Sequence, residues 1–223
     1  SFAVGSTFSV NIAINTNNQS INAFKVKVLF PTDKLQVVSS STGQSITGFW
    51  VRRPAYSNEA GYIELEGAIP SPGINTDLGI ITTVTFRVKA IGNASVRFDN
   101  SSALYLNDGQ GSEANVAYQN GFYSLLLPPP EGPAVVSTTH PDQEDWYQTN
   151  DVLLRWSVTE EVGGYSFLLS ENPLDIPDNT VDSVGTTTVY KSLADGKHYF
   201  HIKALRSGAW GGITHYGIKI QTG

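Results

Sequence analysis

Apolar and polar residues alternate with a period of two along most of this chain. In Thr7-Phe8-Ser9-Val10-Asn11-Ile12-Ala13-Ile14-Asn15, Phe8, Val10, Ile12 and Ile14 fall on one side and polar or small residues on the other. That is the pattern of a half-buried strand. Residues 23–30 repeat it, with Phe24, Val26, Val28 and Phe30 on one face. Pro31 ends that run, and Thr32-Asp33 turns the chain into Leu35-Gln36-Val37-Val38. From Tyr62 to Ile69, the residues Ile63, Leu65 and Ile69 share one face, and Tyr62, Glu64 and Glu66 the other. A longer apolar strand is predicted from Leu78 to Val88, with Ile80, Thr82, Val84, Phe86 and Val88 in register. Short strands are expected at 96–98, 103–106 and 121–126. No stretch keeps a 3.6-residue period over three turns, so residues 1–127 read as a two-sheet sandwich.

After residue 133 the pattern resumes. Strands are predicted at Val152–Val158, Gly164–Leu169, Thr186–Tyr190, Leu193–Ala204 and His215–Ile220, with a hairpin at Gly208–Gly212. The fold class is therefore all-β: two β-sandwich domains joined by a short proline-rich linker. The domains are 1–127 and 134–223, and the linker is Pro128-Pro129-Pro130-Glu131-Gly132-Pro133. Consecutive prolines donate no backbone hydrogen bonds and favour an extended, semi-rigid conformation.

Charge sharpens the division. Residues 1–127 carry eight basic and eight acidic side chains, whereas residues 128–223 carry six basic and twelve acidic ones, the whole net charge of −6. No basic footprint exists for nucleic acid. No segment approaches the ~18 apolar residues that span a membrane as a helix. The chain has no Cys, hence no disulfide or thiolate metal site, and no Met, so it is expected to be a processed product or a fragment of a longer protein.

Four segments taken in order resemble the cohesin family, the receptor modules of cellulosome scaffolds. Val4-Gly5-Ser6-Thr7-Phe8-Ser9-Val10 resembles its opening strand. Leu29-Phe30-Pro31-Thr32-Asp33-Lys34-Leu35-Gln36-Val37-Val38 resembles its strand, proline turn and next strand. Residues 79–90 resemble its long central strand. Asn107-Asp108-Gly109-Gln110-Gly111 with Asn120-Gly121 resembles its closing turns. Cohesins usually carry an additional strand before this opening, so an open N-terminal sheet edge is expected here, a site for self-association by strand pairing. Further on, Leu193 to Ala204 resembles the fibronectin type III motif, with Tyr199 as its tyrosine-corner candidate; this makes the second domain fibronectin type III or immunoglobulin-like. The resemblance implies a non-catalytic, extracellular fragment of a bacterial cell-surface protein. Its cohesin-like module would dock a dockerin-like protein module, and the second domain would be a spacer. Cohesins are related in fold to carbohydrate-binding modules, so a polysaccharide partner is the alternative. A structural subunit of a surface filament or layer, completed by a neighbour's strand, is a third reading.

Candidate site residues are few. Glu64 and Glu66 share a strand face, but two positions along one strand lie about 6.6 Å apart, more than a retaining glycosidase pair needs. A solvated face or the rim of a docking surface is the plainer reading. Trp50, Arg52, Arg53 and Tyr56 lie in or beside a loop and, with Tyr62, form a partner- or glycan-binding candidate. Alternation allows only one of Phe49 and Trp50 to point inward. Asn107, Asp108 and Glu113 could give oxygen ligands to a structural calcium, although Asp-Gly and Asn-Gly are also ordinary hairpin formers. No other cofactor is implied. His198 and His201, three apart on a strand, face opposite sides and cannot share a metal. With no acid, base or nucleophile set, an enzyme is not expected.

Overall fold

The computed structural model describes residues 1–223, which form seventeen strands and no helix. The chain divides into two units, Ser1–Leu126 and Leu127–Gly223.

In the first unit, β1 (Phe2–Ala3), β10 (Gly121–Leu126), β8 (Gly92–Phe98), β3 (Ile21–Leu29), β6 (Tyr62–Ala68) and β5 (Phe49–Ser57) form one sheet in that order, and β9 (Ala103–Leu106) also pairs with β3. A three-stranded sheet of β2 (Thr7–Ile14), β7 (Gly79–Val88) and β4 (Leu35–Ser41) packs against it. Between the sheets lie Phe8, Ile12 and Ile14 of β2, Phe24, Val26 and Val28 of β3, Ile63 and Leu65 of β6, and Val84, Phe86 and Val88 of β7. These are the positions that period-two alternation assigns to the interior.

Three departures have local causes. The long strand was expected to bury Ile80, but β7 buries Ile81. Ile12 pairs with Thr82 and Ala13 with Ile80, so Ile81 is an extra bulged residue turned into the core. Residues 49–57, read as lying in or beside a loop, form the edge strand β5. Its period is broken where Val51 is an extra residue and where Arg53 and Pro54 together oppose Leu65 of β6. Bulges and a proline are ordinary features of an edge strand. The opening segment is also not strandless: Phe2-Ala3 pairs in parallel with Leu125-Leu126 of β10.

The second unit has a three-stranded sheet of β11 (Ala134–Ser137), β13 (Val152–Ser157) and β15 (Thr187–Tyr190). The other sheet runs β12 (Trp146–Tyr147), β17 (Ala209–Ile220), β16 (Gly196–Arg206) and β14 (Gly164–Ser170). Trp156 anchors the core among Tyr165, Phe167 and Phe200. The β16–β17 turn falls at Ser207-Gly208, both at positive φ (50° and 79°), rather than across Gly208–Gly212. Gly211 and Gly212 instead form a bulge opposite Ala204. Tyr199 alternates with buried Phe200 and stacks beside His201. The tie expected of it is made by Tyr216, whose hydroxyl donates to the His140 carbonyl (2.7 Å). The proline run is bound to this unit: Arg206 Nε donates to the Pro128 carbonyl (3.1 Å), Gly212 N to that of Pro130 (3.0 Å) and Thr214 Oγ1 to that of Pro133 (2.6 Å).

Candidate docking face

Alternation that buries Phe24, Val26 and Val28 turns Lys25, Lys27 and Leu29 to the outer face of β3. The same rule on β6 turns out Tyr62, Glu64 and Glu66. Register then sets opposite charges side by side. Lys25 faces Glu66, Lys27 faces Glu64, and Leu29 faces Tyr62 on one side and Arg97 of β8 on the other. Directly opposed side chains on one face interact, and opposite charges there are favourable. Arg52 of β5 stands opposite Glu66 and its guanidinium pairs with Glu64. The Lys27 ammonium sits 4.8 Å from the Tyr62 ring centroid. The outer face is thus a lattice of alternating charge, edged by two exposed aromatic rings: Phe49 on β5, 63% exposed, and Phe122 on β10, 79% exposed.

The residues singled out from sequence divide between two sides. Arg52, Tyr62, Glu64 and Glu66 share the outer face. Trp50 stands opposite Gly67 and Tyr56 opposite Ile63, both core-side positions. Trp50 packs edge-on against Phe24, with ring centroids 6.0 Å apart. Gly67 makes room there, since a Cβ on it would lie 2.7 Å from the Phe24 ring. Arg53, in the second bulge, is exposed. Phe49, not Trp50, is therefore the outward member of that pair. Lys25, Lys27 and Arg97 were missed as site residues. Their signal was present, because every second position of β3 not needed for the core must face out.

Asn107, Asp108 and Glu113 lie in the β9–β10 connection. The Asn107 side-chain oxygen accepts from the Asn22 amide (3.2 Å). The Asp108 carboxylate accepts from Gln110 N (2.8 Å), and the Ser112 hydroxyl and that N–H hold its carboxyl below the usual range. Glu113 forms a backbone bridge with Tyr105. No three His, Cys, Asp or Glu side chains gather into a metal-binding group in the chain.

The outer sheet face thus carries four cations and two carboxylates between two exposed aromatic rings, on a two-sheet scaffold. Residues 1–121 match the Cohesin domain family, and the chain belongs to that family. Solved structures similar in fold include the third cohesin of ScaC from Acetivibrio cellulolyticus in complex with the ScaB dockerin. It is 22% identical, covers 56% of this chain and 94% of that one, and has a TM-score of 0.47. The seventh ScaB type I cohesin from Pseudobacteroides cellulosolvens is 21% identical over 58% of this chain and 90% of that one, with a TM-score of 0.48. A non-cellulosomal cohesin from the hyperthermophilic archaeon Archaeoglobus fulgidus is 22% identical over 56% and 85%, with a TM-score of 0.45. No curated protein matches the chain.

Proposed function

We propose that the outer face of β8, β3, β6 and β5 docks a folded protein module of the dockerin type. In this reading the second unit is a fibronectin type III-like spacer, and the protein works outside the cell. The observation that carries the reading is the charge lattice of Lys25, Lys27, Arg97 and Arg52 with Glu64 and Glu66. Such a face offers complementary pairs to a partner of mixed charge, which sets register and speeds encounter. Phe49 and Phe122 would be its aromatic anchors, of the kind that dominate interface energy. A glycan platform needs open aromatic faces, and one of its candidates is withdrawn: Trp50 is turned onto Phe24, whereas Tyr56 stays exposed at the sheet edge. The test is a pull-down with immobilised dockerin-type modules. Capture at micromolar concentration supports the reading, and no capture of any module removes it.

A second reading has its own observation. The edge of β2 away from β7 is unpaired, and β1 covers β10 only at Leu125-Leu126. Between these edges lies a cleft of about 910 Å³ lined by Val10, Ile12, Val26, Val28, Val96 and Tyr123. A strand supplied by another chain, alternate residues apolar, would fit it. Light scattering across a concentration series distinguishes this from partner docking: growth of the particle supports strand exchange, and a constant monomer opposes it.

A further inference from the structure

The hairpin of β16 and β17 places His201 directly opposite His215. Their Nδ1 atoms are 2.5 Å apart, with ring centroids at 4.8 Å and planes at 76°. His201 is fully buried, whereas His215 is exposed and lines a small cleft with Tyr199, Lys197 and Pro173.

The hydrogen bonds fix the tautomer. Ser170 Oγ lies 3.0 Å from His201 Nε2 and donates its own proton to the Asn172 carbonyl (3.1 Å). With that proton committed, Ser170 Oγ accepts from His201 Nε2–H. The Nδ1 of His201 therefore carries a lone pair and faces His215. Two lone pairs at this distance repel, so His215 Nδ1 supplies the one proton between them. The arrangement has an oriented buried imidazole, an exposed one, and a hydroxyl fixing the far nitrogen of the first. That is how metal-ligating histidines are held.

We propose that His201 and His215 form a two-imidazole site for a borderline divalent transition ion of the zinc–copper type, the class that nitrogen donors favour. The ion takes the place of the shared proton, which passes to Nε2 of His215, so two neutral imidazoles bind without net proton release. With metal–nitrogen bonds of about 2.0–2.1 Å, two nitrogens on a tetrahedral ion lie roughly 3.3 Å apart, so the rings must open by less than about 1 Å. The exposed His215 can make that movement. Water fills the remaining positions, which makes the ion exchangeable. The surroundings are of mixed charge. Asp175 is near enough to act on His201 by its charge, Lys197 lines the cleft, and Lys219 there is paired with Glu144 at 2.7 Å. The whole net charge of −6 lies in residues 128–223 and favours cation approach.

The experiment titrates ZnCl₂ into the full chain and follows side-chain imidazole ¹⁵N resonances together with heat of binding. One zinc per chain is expected, with Nδ1 of His201 and His215 shifting together. His215→Ala, at an exposed position, should fold normally and bind at least tenfold more weakly. Ser170→Ala should weaken binding by about 10–100-fold, as loss of an orienting partner does. Zinc that leaves both Nδ1 resonances in place at millimolar concentration overturns the proposal. So does His215→Ala binding as tightly as the unaltered chain.

Discussion

The Arg52 guanidinium reaches past Glu66, its opposite number across β5 and β6, to pair with Glu64. Glu64 also stands opposite Lys27, whose ammonium lies over the Tyr62 ring instead, so Arg52 is the cation that the carboxylate pairs with. Both partners are substantially open to solvent, and exposed pairs contribute only ~0–1 kcal/mol. Arg52→Ala should therefore leave unfolding by urea almost unchanged, within about 1 kcal/mol. Its effect should appear instead in the salt dependence of partner association, because rim charges act on encounter.

Trp50 and Phe49 are adjacent but face opposite ways. Trp50→Ala removes a ring packed on Phe24 and should destabilise the first unit by roughly 2–4 kcal/mol, toward the low end because Trp50 is only half-buried. Phe49→Ala removes a ring in solvent and should cost about 0.5 kcal/mol or less. Hydrogen exchange at β3 and β6 amides would separate the two.

Gly61 sits at φ +73°, and a Cβ there would lie 2.5 Å from the Phe30 carbonyl oxygen. The left-handed backbone and the clash with main chain act together. Gly61→Ala should cost on the order of 2 kcal/mol or more, seen as a lower urea midpoint at unchanged slope.

His140 is fully buried. Its ring nitrogens contact Thr139 Oγ1 and the Thr149 carbonyl, each at 2.9 Å. Burial lowers its pKa below the ordinary histidine value, against a smaller opposing effect of the Thr149 carbonyl. The unfolded chain thus takes up this proton more readily than the folded one. The contribution is complete above the unfolded pKa of about 6.5 and is lost as pH falls from there toward the lowered folded value. Stability measured from pH 7.5 to 5 should decline, and His140→Gln should flatten that part of the curve.

Much of the first unit was legible because β2, β6 and β3 from Ala23 onward obey strict alternation, and the outer charges follow from it by subtraction. What was not legible depended on single extra residues. Ile81 in β7, Val51 and Arg53-Pro54 in β5, and Gly211-Gly212 in β17 each shift the period by one. A period-two reading cannot see such a shift without the partner strand. The displaced hairpin turn hid the His201–His215 pair for the same reason. Placing the turn at Ser207-Gly208 and allowing for the bulge opposite Ala204 brings those residues face to face. The proline run was legible as extended, but its hydrogen bonds to Arg206, Gly212 and Thr214 depend on residues some eighty positions away.

The most direct test of the docking face is a calorimetric titration of dockerin-type modules into the full chain and into Lys27→Glu/Arg97→Glu. Reversing two central cations should weaken binding at least tenfold, about 1.4 kcal/mol, while the urea midpoint falls only slightly, by the repulsion of a carboxylate at position 27 facing Glu64. A module that binds both proteins equally well would place the interface elsewhere, and absence of binding to the parent would contradict the account.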